Sequence, residues 1–315
     1  MADWKFTKGL HELGNGNFAY LQPDGSWGWS NAGLVTDGDD SLLVDTLFDA
    51  KLTAEMLESM RKATPAAQRI GALVNTHSNG DHCYGNALVG DIPIIAARAS
   101  AEEMAELTPG RLAELMRATD EMGPAGEFLA RIFEPFDFEN IAFAPPTETF
   151  EGTATRTVGA KEVRLIDVGP AHTRGDVLVH VPADRVVYTG DILFIDGTPV
   201  MWEGPVGNWI RACDLIIDMD AEAIVPGHGP ITDRAGVRAM RDYLVYVRDE
   251  TRQRYAAGLS AADAARDIAL EDYSAWSDAE RIAVNVHTLY REFSGGEGPR
   301  PGTVELFRLM AELAR

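Results

Sequence analysis

Two histidines and an aspartate crowd into six positions, His77-Ser78-Asn79-Gly80-Asp81-His82. Imidazole nitrogen and carboxylate oxygen are the donors that hold zinc, and they also suit iron or manganese. A metal ion with an open coordination position lowers the pKa of bound water to roughly 7, which makes a hydroxide nucleophile at neutral pH. Seven histidines occur in the chain: His11, His77, His82, His172, His180, His228 and His287. Four of them, His77, His82, His172 and His228, stand where a strand pattern stops and a Gly- or Asp-containing loop begins. Asp191 stands in the same position after Val186-Val187-Tyr188-Thr189-Gly190. In sheet proteins ligands collect at such strand ends, where loops converge on one edge. Any one of these residues alone is most simply structural; together they predict a metal site. His180 lies inside a strand pattern and reads as packing. His11 and His287 read as surface or helix residues. Cys83 reads as a small buried residue rather than a thiolate ligand.

The elements that must position these residues follow from periodicity. Phe18-Ala19-Tyr20-Leu21 reads as a strand ended by the turn Pro23-Asp24-Gly25. Trp27 to Val35 and Ser41 to Asp45 read as two more, giving an antiparallel meander. A helix is predicted from about Ala50 to Ala63, with Leu52, Met56, Leu57 and Met60 at helical spacing. Strands are predicted at Ile70-Val74, which runs into His77, and at Pro93-Ala97. This β-α-β alternation implies sheet covered by helix. Residues 99–143 turn Met-, Ala-, Leu- and Glu-rich, with breaks at Pro109-Gly110 and Gly123-Pro124, and read as a helical insertion. Strands resume at Glu148-Thr157, Val163-Val168, Val177-Val181, Arg185-Tyr188 and Ala223-Val225, with a helix over Trp209-Met219. From Asp233 the chain reads as helical, with Ser260 as an N-cap and a polar loop from Gly295 to Gly302. The expected organisation is a catalytic region over 1–235 and a helical C-terminal region over 236–315.

Composition narrows the partners. Lys and Arg number 28 against 49 Asp and Glu, a net charge of −21. Such acidity argues against nucleic acid and against an anionic membrane surface. Two cysteines are too few for a disulfide framework, and the N-terminus has no basic start followed by an apolar run. A cytoplasmic location, a small-molecule substrate and no membrane span are the expectations. The helical C-terminal region could supply a homodimer surface.

The series His77-x-Asn79-x-Asp81-His82, His172, Asp191 and His228 resembles the metallo-β-lactamase superfamily, whose cluster reads His-x-His-x-Asp-His followed by a distant His, an Asp and a final His. Val44-Asp45-Thr46, Thr189-Gly190-Asp191 and Pro226-Gly227-His228-Gly229 resemble the family's other phrases, and the likeness covers roughly residues 15–235. The resemblance implies an α/β fold, a four-layer αββα sandwich with the metals at one edge of the sheets. It also implies a first metal at His77, the cluster's third position and His172, and a second at Asp81, His82 and His228, with Asp191 bridging. Asn79 departs from the family's histidine, and its neutral amide is a poor zinc ligand. One firmly held zinc at Asp81, His82, Asp191 and His228, with a second, weaker ion at His77 and His172, is the expectation. Asp81, His77 and His172 are the candidates for moving protons or orienting water. Asp45 is expected beside the ligands, and Asp176 is expected to fix a ligand histidine's tautomer.

The function expected is hydrolysis of an ester, thioester, lactone or related bond in a small organic substrate. The altered cluster counts against a thioesterase of the glyoxalase-II type. Hydrolytic dehalogenation of a haloaromatic compound is the second expectation. A non-catalytic binding protein that kept the fold is the third. Phe194, Trp202 and Trp209, which follow Asp191 closely, are candidates with Asn79 for contacting substrate. The apolar insertion 99–143 is a candidate lid.

Overall fold

The structure, a computed structural model, describes residues 4–297 and 301–314. Met1 to Asp3, part of the start expected to carry no secretory signal, lie outside the described residues, as do Arg315 and residues 298–300 of the expected polar loop.

The chain begins as a four-strand antiparallel run: β1 Gly9–Gly14, β2 Asn17–Leu21, β3 Ala32–Asp37 and β4 Asp40–Val44. Helix α1, Ala50–Ala63, follows. Asp49 caps it by accepting from the Leu52 backbone N–H at 2.7 Å, and Leu52, Met56, Leu57 and Met60 bury its apolar stripe. Then come β5 Ala72–Val74, the one-turn helix α2 Gly80–Cys83, and β6 Ile94–Ala97. The insertion forms α3 Arg98–Met104, α4 Pro109–Arg117 and α5 Pro124–Phe133. β7 Glu148–Phe150 closes a seven-stranded sheet in chain order, parallel from β4 onward.

A second sheet of five strands follows: β8 Thr153–Val158, β9 Lys161–Asp167, β10 Val177–Val181, β11 Val186–Tyr188 and β12 Ala223–Val225. Helix α6, Val206–Asp218, crosses from β11 to the parallel β12. The C-terminal region comprises α7 Arg234–Ala256, α8 Ala261–Asp267, α9 Ile282–Phe293 and α10 Thr303–Leu313. No helix among the described residues is long and apolar enough to cross a membrane.

Strand periodicity builds the layers. Side chains on a strand alternate between its two faces. Ala19, Leu21, Val35, Val44, Val177, Val179 and Val181 turn inward and fill the seam between the sheets. Phe18, Tyr20, Leu34, Leu43, Leu178 and Val187 turn outward into the apolar cluster that holds the helices. The result is the αββα sandwich with a helical C-terminal extension. Tyr188 pins the two sheets together by donating its hydroxyl to the carbonyls of Phe18 and Leu34 at 3.0 and 3.3 Å.

Three local expectations change. The run Glu148–Thr157 is two strands on different sheets, β7 and β8, because the chain turns at Gly152, whose φ is 71°. Trp27 to Asn31 is loop rather than strand; its polar groups are spent on tertiary contacts, Ser30 Oγ donating to the Asp81 carbonyl and Asn31 Nδ2 to the Pro226 and Gly229 carbonyls. And a strand, β1, precedes the meander: a glycine-bounded edge strand with too few apolar residues to show as a pattern.

Candidate metal centre

Strand direction places the donors. β4 and β5 are parallel, and β11 and β12 are parallel. β9 and β11 both pair antiparallel with β10, so they run the same way. The C-terminal ends of all five open on one edge. Asp45 follows β4, His77 to His82 follow β5, His172 follows β9, Asp191 follows β11 and His228 follows β12. The six expected donors converge there into two sets within ligand distance of one another: His77, His172 and Asp191, and Asp81, His82 and His228.

Asp191 sits between the sets. Its Oδ2 lies 3.6 Å from His77 Nε2, 3.3 Å from His172 Nε2 and 3.5 Å from His228 Nε2, and its Oδ1 lies 3.0 Å from His82 Nε2. Asp81 Oδ2 lies 3.2 Å from His228 Nε2 and 3.7 Å from His82 Nε2. Two donors that each stand about 2.0–2.1 Å from one tetrahedral ion are about 3.3 Å apart. The observed separations scatter around that edge length.

The outer nitrogens explain why the inner ones are free. His82 Nδ1 faces Asp45 Oδ2 at 2.9 Å, His172 Nδ1 the Val200 carbonyl at 2.6 Å, and His228 Nδ1 the Gly25 carbonyl at 3.0 Å. His77 Nδ1 faces Thr76 Oγ1 at 3.0 Å, and that hydroxyl donates onward to Asp45 Oδ2 at 2.7 Å. Each Nδ1 is therefore placed to carry the hydrogen of the neutral ring, and each Nε2 turns to the centre, where the neutral ring presents a lone pair. His77 Nε2, His82 Nε2 and Asp191 Oδ1 are buried with no hydrogen-bond partner. Buried polar atoms without partners are costly. Four lone pairs and two carboxylates in a pocket whose most exposed member, Asp81, is 8% exposed fit a cation and little else.

The electrostatics agree. Burial pushes Asp191 up, but the four surrounding imidazoles outweigh it and hold the carboxyl well below its usual range. Burial alone would lower His228, yet Asp191 and Asp81 raise it to about 9. His82 is likewise driven well up by Asp191 and Asp81 against its burial. His77 and His172 are pulled down, first by burial. The carboxylates thus demand positive charge at the centre, which protons or a metal can meet.

The positioning residues are partly those expected. Asp45 is buried at φ 61° and holds Thr76 N–H, Thr76 Oγ1 and His82 Nδ1 with its two oxygens. Asp176 takes another part than expected: it accepts from the backbone of Ala171 and Thr173 and from Thr173 Oγ1, which holds the loop around His172 and not the ring itself. Gly25 and Val200 act through backbone carbonyls, which no sequence pattern marks. Val200 is held in turn by the C-terminal region: Arg281 Nη1 donates to the Thr198 carbonyl, and Asn285 contacts the Pro199 carbonyl and the Met201 N–H. Gly227 is demanded by contact, because a Cβ there would stand 2.0 Å from Asp191 Oδ1. Gly227→Ala is accordingly expected to displace the Asp191 carboxylate and lower metal content, as elemental analysis of the purified variant would show; unchanged content would refute the tight approach.

Asn79 is brought to the centre, its Nδ2 3.1 Å from His172 Nε2. Cys83 is buried and outside both donor sets, and burial raises its thiol well above the ordinary value. The aromatic residues divide. Phe194 is 1% exposed and stacks flat on His228, centroids 5.1 Å apart; Trp209 is fully buried, 5.8 Å from His172, and donates to the Ile192 carbonyl. Both back the ligand rings rather than line an open wall. Trp202 is only half-buried, donates its backbone N–H to the His172 carbonyl at 3.1 Å and lies 6.3 Å from Trp27. Trp29, also half-buried, packs on Phe136 of the insertion at 4.7 Å. Phe128 of α5 and Phe307 of α10 also meet Trp27, at 6.4 and 6.1 Å.

Comparison with known proteins agrees with this geometry. A family model described as "Metallo-beta-lactamase superfamily" matches residues 25–228, well over half of the chain. A hydroxyacylglutathione hydrolase of Fuscovulum blasticum is 35% identical over 72 residues, which are 22% of this chain and 28% of that protein. Among solved structures, the inverting sec-alkylsulfatase Pisa1 of a Pseudomonas species superposes with a TM-score of 0.70 at 17% identity over 93% of this chain and 52% of that one. A metallo-beta-lactamase from Pontibacter korlensis superposes with a TM-score of 0.55 at 17% identity over 75% of this chain and 98% of that one. At such identities the structures speak for the fold. The chain spans about half the length of the alkylsulfatase, and its match reaches little more than a quarter of the hydroxyacylglutathione hydrolase.

Proposed function

This chain belongs to the metallo-β-lactamase superfamily, and we propose that it is a metal-dependent hydrolase that cleaves an ester, thioester, lactone or related bond in a small, largely apolar substrate. The observation that carries the reading is the convergence of four Nε2 lone pairs on two carboxylates at one sheet edge. Zinc is the ion that this donor set suits best, with iron or manganese also compatible. Asp81, His82, Asp191 and His228 would hold one ion firmly; His77 and His172, with Asp191, would hold a second more weakly. When bound, such an ion would supply a hydroxide at neutral pH and polarise the substrate's oxygen.

The chain's own groups do the rest. Asp81, the most exposed of the six, would take on its carboxylate the proton released by the attacking water and pass it to solvent. Asp191 keeps the two sets in register. Asn79 offers its amide to a substrate oxygen once His172 Nε2 is otherwise engaged. Trp29, beside the Ser30 that bonds the Asp81 carbonyl, and Trp202, whose N–H bonds the His172 carbonyl, would supply an apolar wall for the substrate's body. These rings also favour a second reading within the same chemistry, attack of the hydroxide on a halogen-bearing aromatic carbon.

The test is turnover on a panel of thioesters, lactones, esters and haloaromatics, alongside elemental analysis of protein purified without chelator. Turnover within one class, lost on chelation and restored by metal, is the expected result. No retained transition metal and no turnover across the panel would leave a binding protein that kept the fold, and the proposal would fall. Asn79→His gives a complementary expectation: it restores a third imidazole to the first set, so the metal count should rise towards two per chain. A count unmoved by the substitution would refute the weakened first site.

A further inference from the structure

We propose that Glu103, in the last turn of α3, is a positioning residue that clamps together the two ligand loops carrying His77 and His172, and so sets the affinity of the first metal position independently of the second; this rests on the metal-site reading above.

His77 and His172 come from different sheets, after β5 and β9, yet their rings must stay 5.0 Å apart to share an ion. One carboxylate joins their loops. Glu103 Oε2 accepts from Ser78 Oγ at 2.7 Å and from the Arg174 backbone N–H at 3.2 Å, and its Oε1 faces Arg174 Nε at 3.2 Å. Ser78 sits directly between His77 and Asn79, and Arg174 stands two residues past His172. Arg174 Nη2 reaches on to Glu106 at 2.6 Å, so the arginine is held from both sides.

A second contact shows that the seat is built. Gly175 lies so close to α3 that a Cβ there would stand 2.7 Å from the Ser100 backbone nitrogen. The His172 loop is thus pressed onto the helix that carries Glu103. The rings of the other donor set are turned from elsewhere: Asp81 and His82 follow Ser78 in the same loop, but His82 is oriented by Asp45 and His228 by the Gly25 carbonyl. The exposed part of the network, Arg174 with Glu106, contributes little by itself because water screens it. The specific part is the oxygen shared by Ser78, which is 8% exposed, and the Arg174 backbone. Removing it leaves each loop folded but free to move relative to the other. Partners one step behind metal ligands typically alter affinity by roughly 10- to 100-fold.

The test is titration of metal-free protein with Co2+, followed by the visible absorption of the bound ion, for the native chain, Glu103→Ala and Glu103→Gln. In the native chain two equivalents bind, one tight and one weak. In Glu103→Ala the weak equivalent should loosen by roughly 10- to 100-fold while the tight one is unchanged. Glu103→Gln, which keeps an oxygen for Ser78, should recover part of the loss. Weak-site affinity unchanged in Glu103→Ala overturns the clamp, as does loss of both equivalents together with a fall in Tm, which marks a general structural role. A native chain that binds one equivalent only overturns it too. A native chain that binds no Co2+ instead overturns the metal-site reading beneath it.

Discussion

Asp191→Ala is expected to abolish metal retention and hydrolysis together. Among the described residues Asp191 is the one whose oxygens face all four imidazoles, at 3.0 to 3.6 Å. Its removal leaves Asp81 as the only carboxylate among the five remaining donors, and Asp81 belongs to one donor set alone. Deleting one partner of a buried charged cluster typically costs about 3–5 kcal/mol, which is about two to three and a half decades of affinity. The first set would fall to two imidazoles and Asn79, the second to Asp81 with two imidazoles. Elemental analysis after dialysis and turnover at saturating substrate are the measurements. Turnover that survives the substitution would falsify the ligand assignment. Asp191→Asn sharpens the result: it preserves shape and loses the charge, so metal loss in this variant isolates the charge as the cause.

Asp45→Asn is expected to have the next largest effect, although Asp45 is in neither donor set. Its Oδ1 accepts from the Thr76 backbone, and its Oδ2 accepts from both Thr76 Oγ1 and His82 Nδ1. Every partner is a donor, and an amide can satisfy only one side of that pair. Asparagine tolerates the φ of 61° that this position requires, so the backbone is not the perturbed term. The NH2 group would meet either the Thr76 N–H or the His82 ring. His82 would lose the partner that keeps its hydrogen on Nδ1, and His77, held through Thr76 Oγ1, would loosen with it. Metal affinity should fall by roughly 10- to 100-fold, measured by competition with a chromophoric chelator, with the far-ultraviolet dichroism of the native fold retained. Native affinity in Asp45→Asn would show that the histidines orient themselves without it.

The contrast between these two residues shows what a sequence exposes. Asp191 announces itself: a carboxylate after a strand, beside Gly190, in a phrase that the family repeats. Asp45 also follows a strand, but nothing in Val44-Asp45-Thr46 tells which histidine it will meet, because His82 is 37 residues away and the contact exists only once β4 and β5 lie side by side. Asp176 shows the opposite outcome. Its position near His172 suggested a bond to the ring, and it bonds the loop backbone instead, because the ring's Nδ1 is already taken by Val200. Phe194 and Trp209 were legible as neighbours of the site but not as its backing, since exposure is settled by what packs over a ring and not by its distance along the chain.

The elements divide in the same way. Helix α1 and strands β10 and β12 were readable to the residue, because each has an unbroken apolar pattern and a clear end. The loop at Trp27–Asn31 looked like strand, because bulky apolar residues favour strands wherever no tertiary demand intervenes. Here the demand is the ligand loops: Ser30 and Asn31 are committed to Asp81, Pro226 and Gly229, and Trp27 to Phe128, Phe307 and the Arg281 guanidinium 4.3 Å from its ring.

The sequence by itself determined the donor types, their order, and the strand ends on which they sit, because ligand chemistry and strand periodicity are local properties of the chain. The tertiary structure alone decided which way each imidazole turns and which loops are held together. Those depend on Gly25 and Val200 carbonyls, on Asp45, and on Glu103, each brought to its partner from 25 to 203 residues away. A hydrogen bond over such a span has no signature in the spacing of residues; it exists only when strands and sheets distant in the chain come together on one edge.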